Sequence, residues 1–213
     1  MSLRTRSQTF GSVAVRTPLA LPGQRVGIMG GSFNPAHDGH RIVAETAVKR
    51  LGLDQLWWVV TPGNPLKVND ALPSLRQRMS AARRFARGRK MKITGFEAEL
   101  GTPYTAATLA FLKRRNPGVR FVWVMGADNL ATFHRWQHWR SIVAAMPIAV
   151  IDRPRWRLKA LASPAAVPRA RVPEAKAGTL AARKPPAWTF LTSRLSPLSS
   201  TTLRTKTTAR TPK

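Results

Sequence analysis

Two histidines set three residues apart are the side chains best suited to chemistry in this sequence. His37 and His40 follow the glycine-rich turn Gly30-Gly31-Ser32, and residues three apart on a helical turn project from one face. Two imidazole N–H groups beside a triphosphate can hold its oxygens and stabilise the negative charge that builds up as a phosphorus atom is attacked. The spacing therefore predicts a site for a bound phosphate chain.

The elements around the histidines place them between a strand and a helix. Residues 25–30 form a short apolar run typical of a strand, and apolar residues recur at helical spacing over 41–51. A helix N-terminus offers free N–H groups and a positive dipole end to an anion. Gly30 and Gly31 lack the Cβ atoms that would keep a phosphate or ribose from the backbone, and Asn34-Pro35 is a turn pair. Each feature alone is common in turns and amphipathic helices, whereas the joint pattern is far more specific.

The rest of the chain alternates strand-like and helix-like segments. This alternation predicts an α/β domain with a Rossmann-like, doubly wound parallel sheet and helices on both faces. In such folds ligands bind beyond the carboxyl ends of the strands, near the switch in strand order. The predicted strands after the first are 55–60, 91–94, 120–125, 147–151 and 187–192, and the predicted helices are 74–87, 105–115 and one or two short helices through 139–140.

Composition suggests the boundaries of the domain. The sequence predicts a basic N-terminal extension over 1–24, a single domain over 25–204 and a basic C-terminal tail over 205–213. Within the domain, Pro, Ala and basic residues dominate 153–186 and apolar periodicity is lost. This stretch is therefore predicted to be a long loop or a partly ordered excursion.

Charge and composition limit the function classes. The 213 residues include 36 Lys/Arg against 9 Asp/Glu, a net charge of +27, but residues 25–152 hold 19 against 8 and the flanks hold 17 against 1. Because most of the excess lies outside the expected core, nucleic-acid affinity is expected only as a non-specific side effect. The absence of cysteine excludes disulfides and thiolate metal sites and favours the cytoplasm. No apolar run approaches the roughly 20 residues that span a bilayer, so no membrane segment is expected.

The order of residues 31–40 resembles a known signature. Members of the nucleotidyltransferase superfamily that includes the nicotinate-nucleotide adenylyltransferases have G-x-F-x-P-x-H-x-G-H, and its six defined positions are matched here by Gly31, Phe33, Pro35, His37, Gly39 and His40. The resemblance implies that this loop and the following helix bind ATP, with both histidines at the reacting phosphate. The ATP contacts that it implies here are Gly30, Gly31, Ser32, Phe33, His37, Gly39 and His40.

Two other segments resemble ATP-binding elements of the same family. Residues 199–204 resemble a closing S-S/A-T-x-I/L-R element, which implies hydroxyl donors at Ser200 and Thr201 and neutralisation of the pyrophosphate by Arg204. Residues 126–130 resemble a G-x-D-x-L element, which implies that Gly126 and Asp128 address the ribose or help to organise the metal. A simple helix N-cap is an equal alternative for Asp128.

The acceptor half of the site is implied by further residues along the chain. Residues 103–109 resemble P-S-Y-T-x-x-T-L without its serine, which implies helix N-terminal N–H groups around a nicotinate carboxylate. Trp136 matches a position where the family stacks an aromatic ring on nicotinate. Lys67 is placed to reach the mononucleotide phosphate, with ordinary surface charge as an equal alternative. The acceptor contacts implied are Asn34, Lys67, Tyr104, Thr105, Ala106 and Trp136.

The resemblance implies an adenylyl transfer in NAD biosynthesis. The 5′-phosphate of nicotinate mononucleotide would attack the α-phosphorus of ATP, with Mg²⁺ on the triphosphate and His37, His40 and Arg204 around the transferring centre. Two alternatives stay open. One is a transferase of the same superfamily with another acceptor, such as nicotinamide mononucleotide or phosphopantetheine, and the other is a basic nucleic-acid-binding protein on this scaffold. A homo-oligomer is compatible with the sequence.

Overall fold

The computed structural model describes residues 16–63, 72–100 and 104–194. Within them six strands form one sheet: β1 (Arg25–Gly31), β2 (Gln55–Val60), β3 (Met91–Thr94), β4 (Arg120–Gly126), β5 (Ile148–Ile151) and β6 (Trp188–Leu191). All neighbouring pairs are parallel, and the order across the sheet is β3-β2-β1-β4-β5-β6. Strand order therefore reverses between β1 and β4, which makes that crevice the switch point where ligands bind in doubly wound folds.

Helices cover both faces of this sheet. The described residues contain α1 (Asp38–Leu51), α2 (Leu75–Arg83), α3 (Thr105–Arg115), α4 (Ala127–Thr132), α5 (Trp139–Ala145) and α6 (Arg157–Leu161), with 3₁₀ helices at Phe96–Glu99, Phe133–Arg135, Pro168–Ala170 and Glu174–Ala182. One hydrophobic cluster joins α1 and α2 to the sheet, and a second joins α3, α4 and α5 to the opposite face. The predicted Rossmann-like α/β fold is confirmed. None of these helices is long and apolar enough to cross a membrane.

Three tryptophans in the strands lie in the core. Trp57 and Trp58 are both fully buried and belong to the clusters on opposite faces, because successive side chains of a strand alternate between the two sides. Trp123 of β4 is 3% exposed. A sheet buried on both faces explains why strands such as β2 are apolar without alternation.

The strand boundaries match the predictions to within one residue, whereas two helix boundaries do not. Helix α1 begins at Asp38 rather than at 41, because His37 has an extended backbone and takes the N-cap position. The early turn was missed because Asp38, Gly39 and His40 contribute no apolar periodicity. Helix α2 begins after its N-cap Ser74, whose Oγ accepts from the N–H of Gln77 at 3.3 Å, but it ends at 83 rather than 87.

The prediction of a long loop or partly ordered excursion over 153–186 was wrong where short helices form. Helix α6 and the 3₁₀ helix Glu174–Ala182 lie in this stretch, and Ala177 and Leu180 are buried in the cluster under α1. Their spacing of three matches a 3₁₀ turn rather than an α-helix. Small alanine side chains at that spacing gave too weak an apolar signal to be recognised in the sequence.

The last part of the predicted N-terminal extension packs against the domain. The Thr94 hydroxyl donates to the carbonyl of Arg16 at 2.7 Å, and the Gln55 amide donates to the carbonyl of Leu19 at 2.9 Å. The N–H of Gly23 donates to the carbonyl of Gly118 at 2.9 Å. The packed chain therefore begins before residue 25.

Candidate active site

The candidate site lies at the carboxyl ends of β1 and β4. The chain leaves β1 through residues 32–37 into α1, and it leaves β4 directly into α4. Both connections emerge at the same edge of the sheet because the strands are parallel. The fold thus brings the Gly30–His40 motif and the Gly126–Asp128 element, which are far apart in the sequence, to the two sides of one crevice.

The two histidines pack against each other at the start of α1. Their ring centroids are 3.9 Å apart with a 35° angle between the planes, which confirms that they share one face. The backbone N–H of His37 donates to Nδ1 of His40 at 3.3 Å. A neutral His40 that accepts at Nδ1 has its proton on Nε2, so this contact makes Nε2–H a donor.

His37 is held as a neutral imidazole. It is 3% exposed, and its pKa is lowered from 6.5 to about 4, mainly by burial and also by the positive charge of Arg153, while Asp38 opposes the shift. Its Nδ1 is buried and faces the first turn of α1, where the His37 side chain and the His40 backbone form a capping-box arrangement and a Cβ at Gly39 would lie 2.8 Å away. The nitrogen is therefore turned toward the backbone of the helix.

Aromatic packing supports His40 from below. Phe33 has a φ of 46°, is 2% exposed, and places its ring 5.1 Å from the Trp58 ring and 4.9 Å from the His40 ring. A bulky residue at positive φ is strained, and such strain persists only where packing holds it. The Phe33 ring packs against His40, and its predicted contact with ATP stays a prediction.

The structure adds a packing reason for glycine at positions 30 and 31. A Cβ at Gly30 would lie 2.7 Å from an indole carbon of Trp123, and a Cβ at Gly31 would lie 3.3 Å from the Phe33 ring. These glycines therefore make room for aromatic side chains of the protein itself. The neighbouring Ser32 and Asn34 lie half-buried in the loop that leads to α1.

Arg153 is a site residue that the sequence reasoning missed. Its side chain is only 11% exposed, and its Nε lies 3.8 Å from Oδ1 of Asp128. A Cβ added at Gly39 would lie 2.6 Å from Nη1 of Arg153 and 2.8 Å from the His37 ring. Arg153 therefore bridges the first turn of α1 and the start of α4, across the crevice. The available signal was its position directly after β5, at the carboxyl edge of the sheet.

Asp128 is not the N-cap of its helix. Gly126 takes that position in α4, and Asp128 lies in the first turn without a capping hydrogen bond from its side chain. The simple N-cap alternative is therefore wrong in detail, although an acidic side chain in the first turn still favours the helix dipole. The Asp128 carboxylate lies 3.8 Å from Nε of Arg153 at the crevice, and the Asp128 side chain is 36% exposed.

Arg78 is a second residue that the sequence reasoning missed, a buried cation in α2 that is 3% exposed. Its guanidinium donates only to backbone carbonyls: those of Thr61 at 2.7 Å, Ser32 at 2.9 Å, Pro73 at 2.9 Å and Pro62 at 3.0 Å. Burial lowers its pKa, yet a guanidinium stays protonated in proteins. No ion pair of the described chain includes it. Arg78 therefore joins the loops after β1 and β2 and leaves a positive charge beneath them.

The predicted acceptor contacts lie at the start of α3 and after α4. Tyr104 is the N-cap of α3, so the N–H groups of Thr105 and Ala106 belong to the open first turn of the helix. Trp136 is partly exposed and lies edge-on to Trp123, with 6.3 Å between ring centroids. Trp136 is thus linked through Trp123 to the end of β1.

A buried carboxyl group supports α3 from below. Glu97 is 6% exposed, and the hydroxyl of Thr108 donates to its Oε1 at 2.6 Å. Burial raises the pKa of Glu97 to about 6, although the hydrogen bond from Thr108 opposes the shift. The pair joins the 3₁₀ helix after β3 to the second turn of α3.

Four predicted site residues lie outside the described residues: Lys67, Ser200, Thr201 and Arg204. Their roles stay predictions. In the part of the chain that is described, no three His, Asp or Glu side chains come together as a protein-built metal centre.

Comparison with known proteins assigns the chain to a family. A family model described as cytidylyltransferase-like matches residues 28–206. A protein of Rhizobium meliloti (strain 1021) named probable nicotinate-nucleotide adenylyltransferase is 60% identical, and the match covers 84% of this chain and 96% of that relative. A protein of the same name from Agrobacterium fabrum (strain C58) is 56% identical, and the match covers 84% of this chain and 97% of that relative. The fold is shared with Plasmodium falciparum nicotinic acid mononucleotide adenylyltransferase complexed with NaAD, at a TM-score of 0.66 and 17% identity over 85% of this chain and 83% of that one. This chain therefore belongs to the nicotinate-nucleotide adenylyltransferase family of cytidylyltransferase-like nucleotidyltransferases.

Proposed function

We propose that this protein transfers the adenylyl group of ATP to nicotinate mononucleotide, giving nicotinate adenine dinucleotide and pyrophosphate. The observation that supports this most is the closely packed pair of His37 and His40 at the switch point, in a chain 60% identical to a relative named for this activity. An adenylyl transfer needs donors around one phosphorus atom and room for two polyanions. The histidine pair supplies donors at the switch point, where ligands bind in doubly wound folds.

The reaction balances without a covalent enzyme intermediate. An oxygen of the 5′-phosphate of nicotinate mononucleotide forms a bond to the α-phosphorus of ATP. The bond between that phosphorus and the oxygen bridging to the β-phosphate breaks, and its electron pair leaves with pyrophosphate. The protein has to align the two substrates in line and counter the repulsion between them.

His40 is the proposed donor to the transferring phosphoryl group. Its Nε2–H follows from the contact at Nδ1, and the donor gains strength as negative charge builds up in the transition state. His37, kept neutral by burial, adds a second imidazole that packs against His40. Arg204 is proposed to neutralise the leaving pyrophosphate, and Arg153 adds a fixed positive charge between α1 and Asp128.

The start of α3 is the proposed site of the nicotinate carboxylate. The open N–H groups of Thr105 and Ala106 with the positive end of the helix dipole suit a carboxylate. Trp136 is proposed to stack on the pyridine ring, and Lys67 and Asn34 are proposed to contact the mononucleotide phosphate. These contacts favour nicotinate over nicotinamide, because a neutral amide gains less from helix N–H groups than a carboxylate does.

Mg²⁺ is proposed to enter with ATP, as part of the substrate. The described donor set does not fit a metal centre built from protein ligands, since Asp128 is a single carboxylate paired with Arg153. When bound, the ion neutralises charge on the triphosphate.

Pyrophosphate release measured with ATP, Mg²⁺ and one acceptor at a time tests the proposal. Turnover is expected with nicotinate mononucleotide and at least about tenfold less with nicotinamide mononucleotide, on the scale of one lost charge-assisted hydrogen bond. Phosphopantetheine serves as the acceptor that lacks a pyridine ring. Turnover with phosphopantetheine but not with nicotinate mononucleotide would overturn the substrate assignment while leaving nucleotidyl transfer intact.

A further inference from the structure

A second concave surface lies at the opposite edge of the sheet from the histidines. A cleft of about 350 Å³ is formed by the 3₁₀ helices of the 168–182 stretch and the segment entering β6. Because the strands are parallel, the start of β6 is at the amino edge, whereas His37 and His40 lie at the carboxyl edge. The cleft is therefore separate from the candidate active site.

The charged side chains that line this cleft are all cationic: Arg169, Arg171, Lys176, Arg183 and Lys184. None of the five forms an ion pair among the described residues. The nearby acid, Glu174, is engaged elsewhere, with Arg50 at 2.9 Å and the Thr192 hydroxyl at 2.7 Å. Burial alone would raise the pKa of Glu174, but these two partners lower it, so it stays an anion for Arg50. Five like charges in one cleft repel each other, and a bound polyanion relieves that repulsion.

The cleft offers charge but no open aromatic face. The guanidinium of Arg171 lies over the Trp188 ring at 5.4 Å, and the ring is 6% exposed. Base stacking on this tryptophan is therefore blocked, whereas proteins that bind single strands through their bases present open aromatic platforms. The chemistry left for recognition is that of phosphate oxygens, which guanidinium and ammonium groups bind directly.

We infer that the cleft between residues 169 and 184 binds a chain of phosphate groups, at a site independent of the active site. Two sources present that chemistry: a free oligophosphate and the backbone of a single-stranded nucleic acid. The inference does not rest on the proposed adenylyl transfer, since it uses residues at the other edge of the sheet.

The test compares two variants that lose the same three positive charges. The cleft variant is R169Q/K176Q/K184Q, and the matched control is R84Q/R89Q/K92Q, whose side chains are exposed and lie outside the cleft. Isothermal titration with tripolyphosphate is expected to show two sites in the wild-type chain, one at the active site and one in the cleft. The cleft variant is expected to lose one site, and the control is expected to keep both.

Binding of a fluorescent oligothymidylate tests whether the cleft binds the backbone of a single-stranded nucleic acid. In the cleft variant the slope of log K against log salt is expected to become shallower by about 2, since each contacted phosphate contributes roughly 0.7 for single strands. Loss of binding for either probe in the cleft variant alone supports the inference and identifies the source. Unchanged binding of both probes in the cleft variant, or equal losses in cleft and control variants, would overturn it. Pyrophosphate release by the cleft variant is expected to be unchanged, which separates this result from the active-site proposal.

Discussion

The backbone N–H of His37 donates to Nδ1 of His40 across 3.3 Å, so the N-cap of α1 fixes which nitrogen of His40 is the donor. We expect His40→Ala to lower turnover by at least about 10²-fold, the scale of losing one transition-state donor. His40→Gln should recover part of the activity because its amide N–H₂ lies near the Nε2 position, whereas His40→Asn should not. Steady-state kinetics on the three variants checks this, and equal recovery by both amides would show that the donor is not Nε2–H.

A histidine elsewhere provides the control for this series. His138 is exposed and lies in the left-handed region at φ 55°, a conformation that asparagine tolerates. His138→Asn should keep normal turnover. Loss of activity in that variant as large as in His40→Ala would indicate a general effect of histidine replacement on the fold.

Gly39 is expected to be sensitive to a single methyl group. A Cβ there would lie 2.6 Å from Nη1 of Arg153 and 2.8 Å from the His37 ring. The far end of Arg153 can move, but His37 is buried, so Gly39→Ala should displace the imidazole and reduce kcat about tenfold or more. The melting temperature should change little, because alanine gains about 1 kcal/mol over glycine in a helix and the clash offsets that gain.

Gly178 offers the matched substitution. A Cβ there would meet nothing within 4 Å, so Gly178→Ala should leave both kcat and the melting temperature close to those of the wild type. If Gly39→Ala were as active as Gly178→Ala, the close packing of His37 against Gly39 would have no role in turnover.

Arg78 should be important to stability as well as to turnover. Arg78→Met leaves the buried carbonyls of Ser32 and Thr61 without their donor, which should lower the free energy of unfolding by about 3 kcal/mol. Arg78→Lys should restore little, since one ammonium cannot replace a planar fork. Arg76→Met, on the exposed side of the same helix, should cost far less in urea unfolding. Equal costs at the two positions would contradict the role assigned to Arg78.

The pKa shift of Glu97 predicts a pH-dependent stability difference. Its pKa is raised to about 6 in the folded state, so the folded chain binds the proton more tightly than the unfolded chain and loses stability as pH rises from about 4.5 to 6. Glu97→Gln removes that loss and keeps an acceptor for Thr108. The variant should gain about 2 kcal/mol relative to the wild type between pH 4 and pH 7.5, measured by urea unfolding. A difference that does not change with pH would contradict it.

His37 acts in the opposite direction over an overlapping pH range. Its folded pKa is depressed to about 4, so its contribution is fully present above pH 6.5 and is lost as pH falls toward 4. In the wild type the two shifts partly cancel, and the wild-type curve should be flatter than that of Glu97→Gln. Comparing the variant with the wild type at each pH cancels the His37 contribution.

The sequence predicted those features that have either a clear apolar pattern or a specific chemical motif. The strands, their parallel arrangement and the histidine pair follow from apolar runs between turns and from a motif with six matched positions. Arg153 and Arg78 could not be distinguished in the same way, because a chain with 36 Lys/Arg gives no single cation a distinctive signal. Their roles depend on which carbonyls and helix turns the fold brings within reach.

Short helices built from small residues were also not predicted from the sequence. Ala177 and Leu180 are buried, but alanine is common in loops as well as in cores, so their spacing alone predicted no element. The strained Phe33 was also beyond sequence reasoning, since its φ of 46° is imposed by its packing on Trp58 and His40.

The most direct test of the account follows the α-phosphorus itself. The full chain is incubated with ATP radiolabelled at the α-phosphorus, nicotinate mononucleotide and Mg²⁺, and the products are separated. The label should move into nicotinate adenine dinucleotide while unlabelled pyrophosphate is released in equal amount. Release of pyrophosphate with the label in AMP and no labelled dinucleotide would contradict adenylyl transfer to this acceptor.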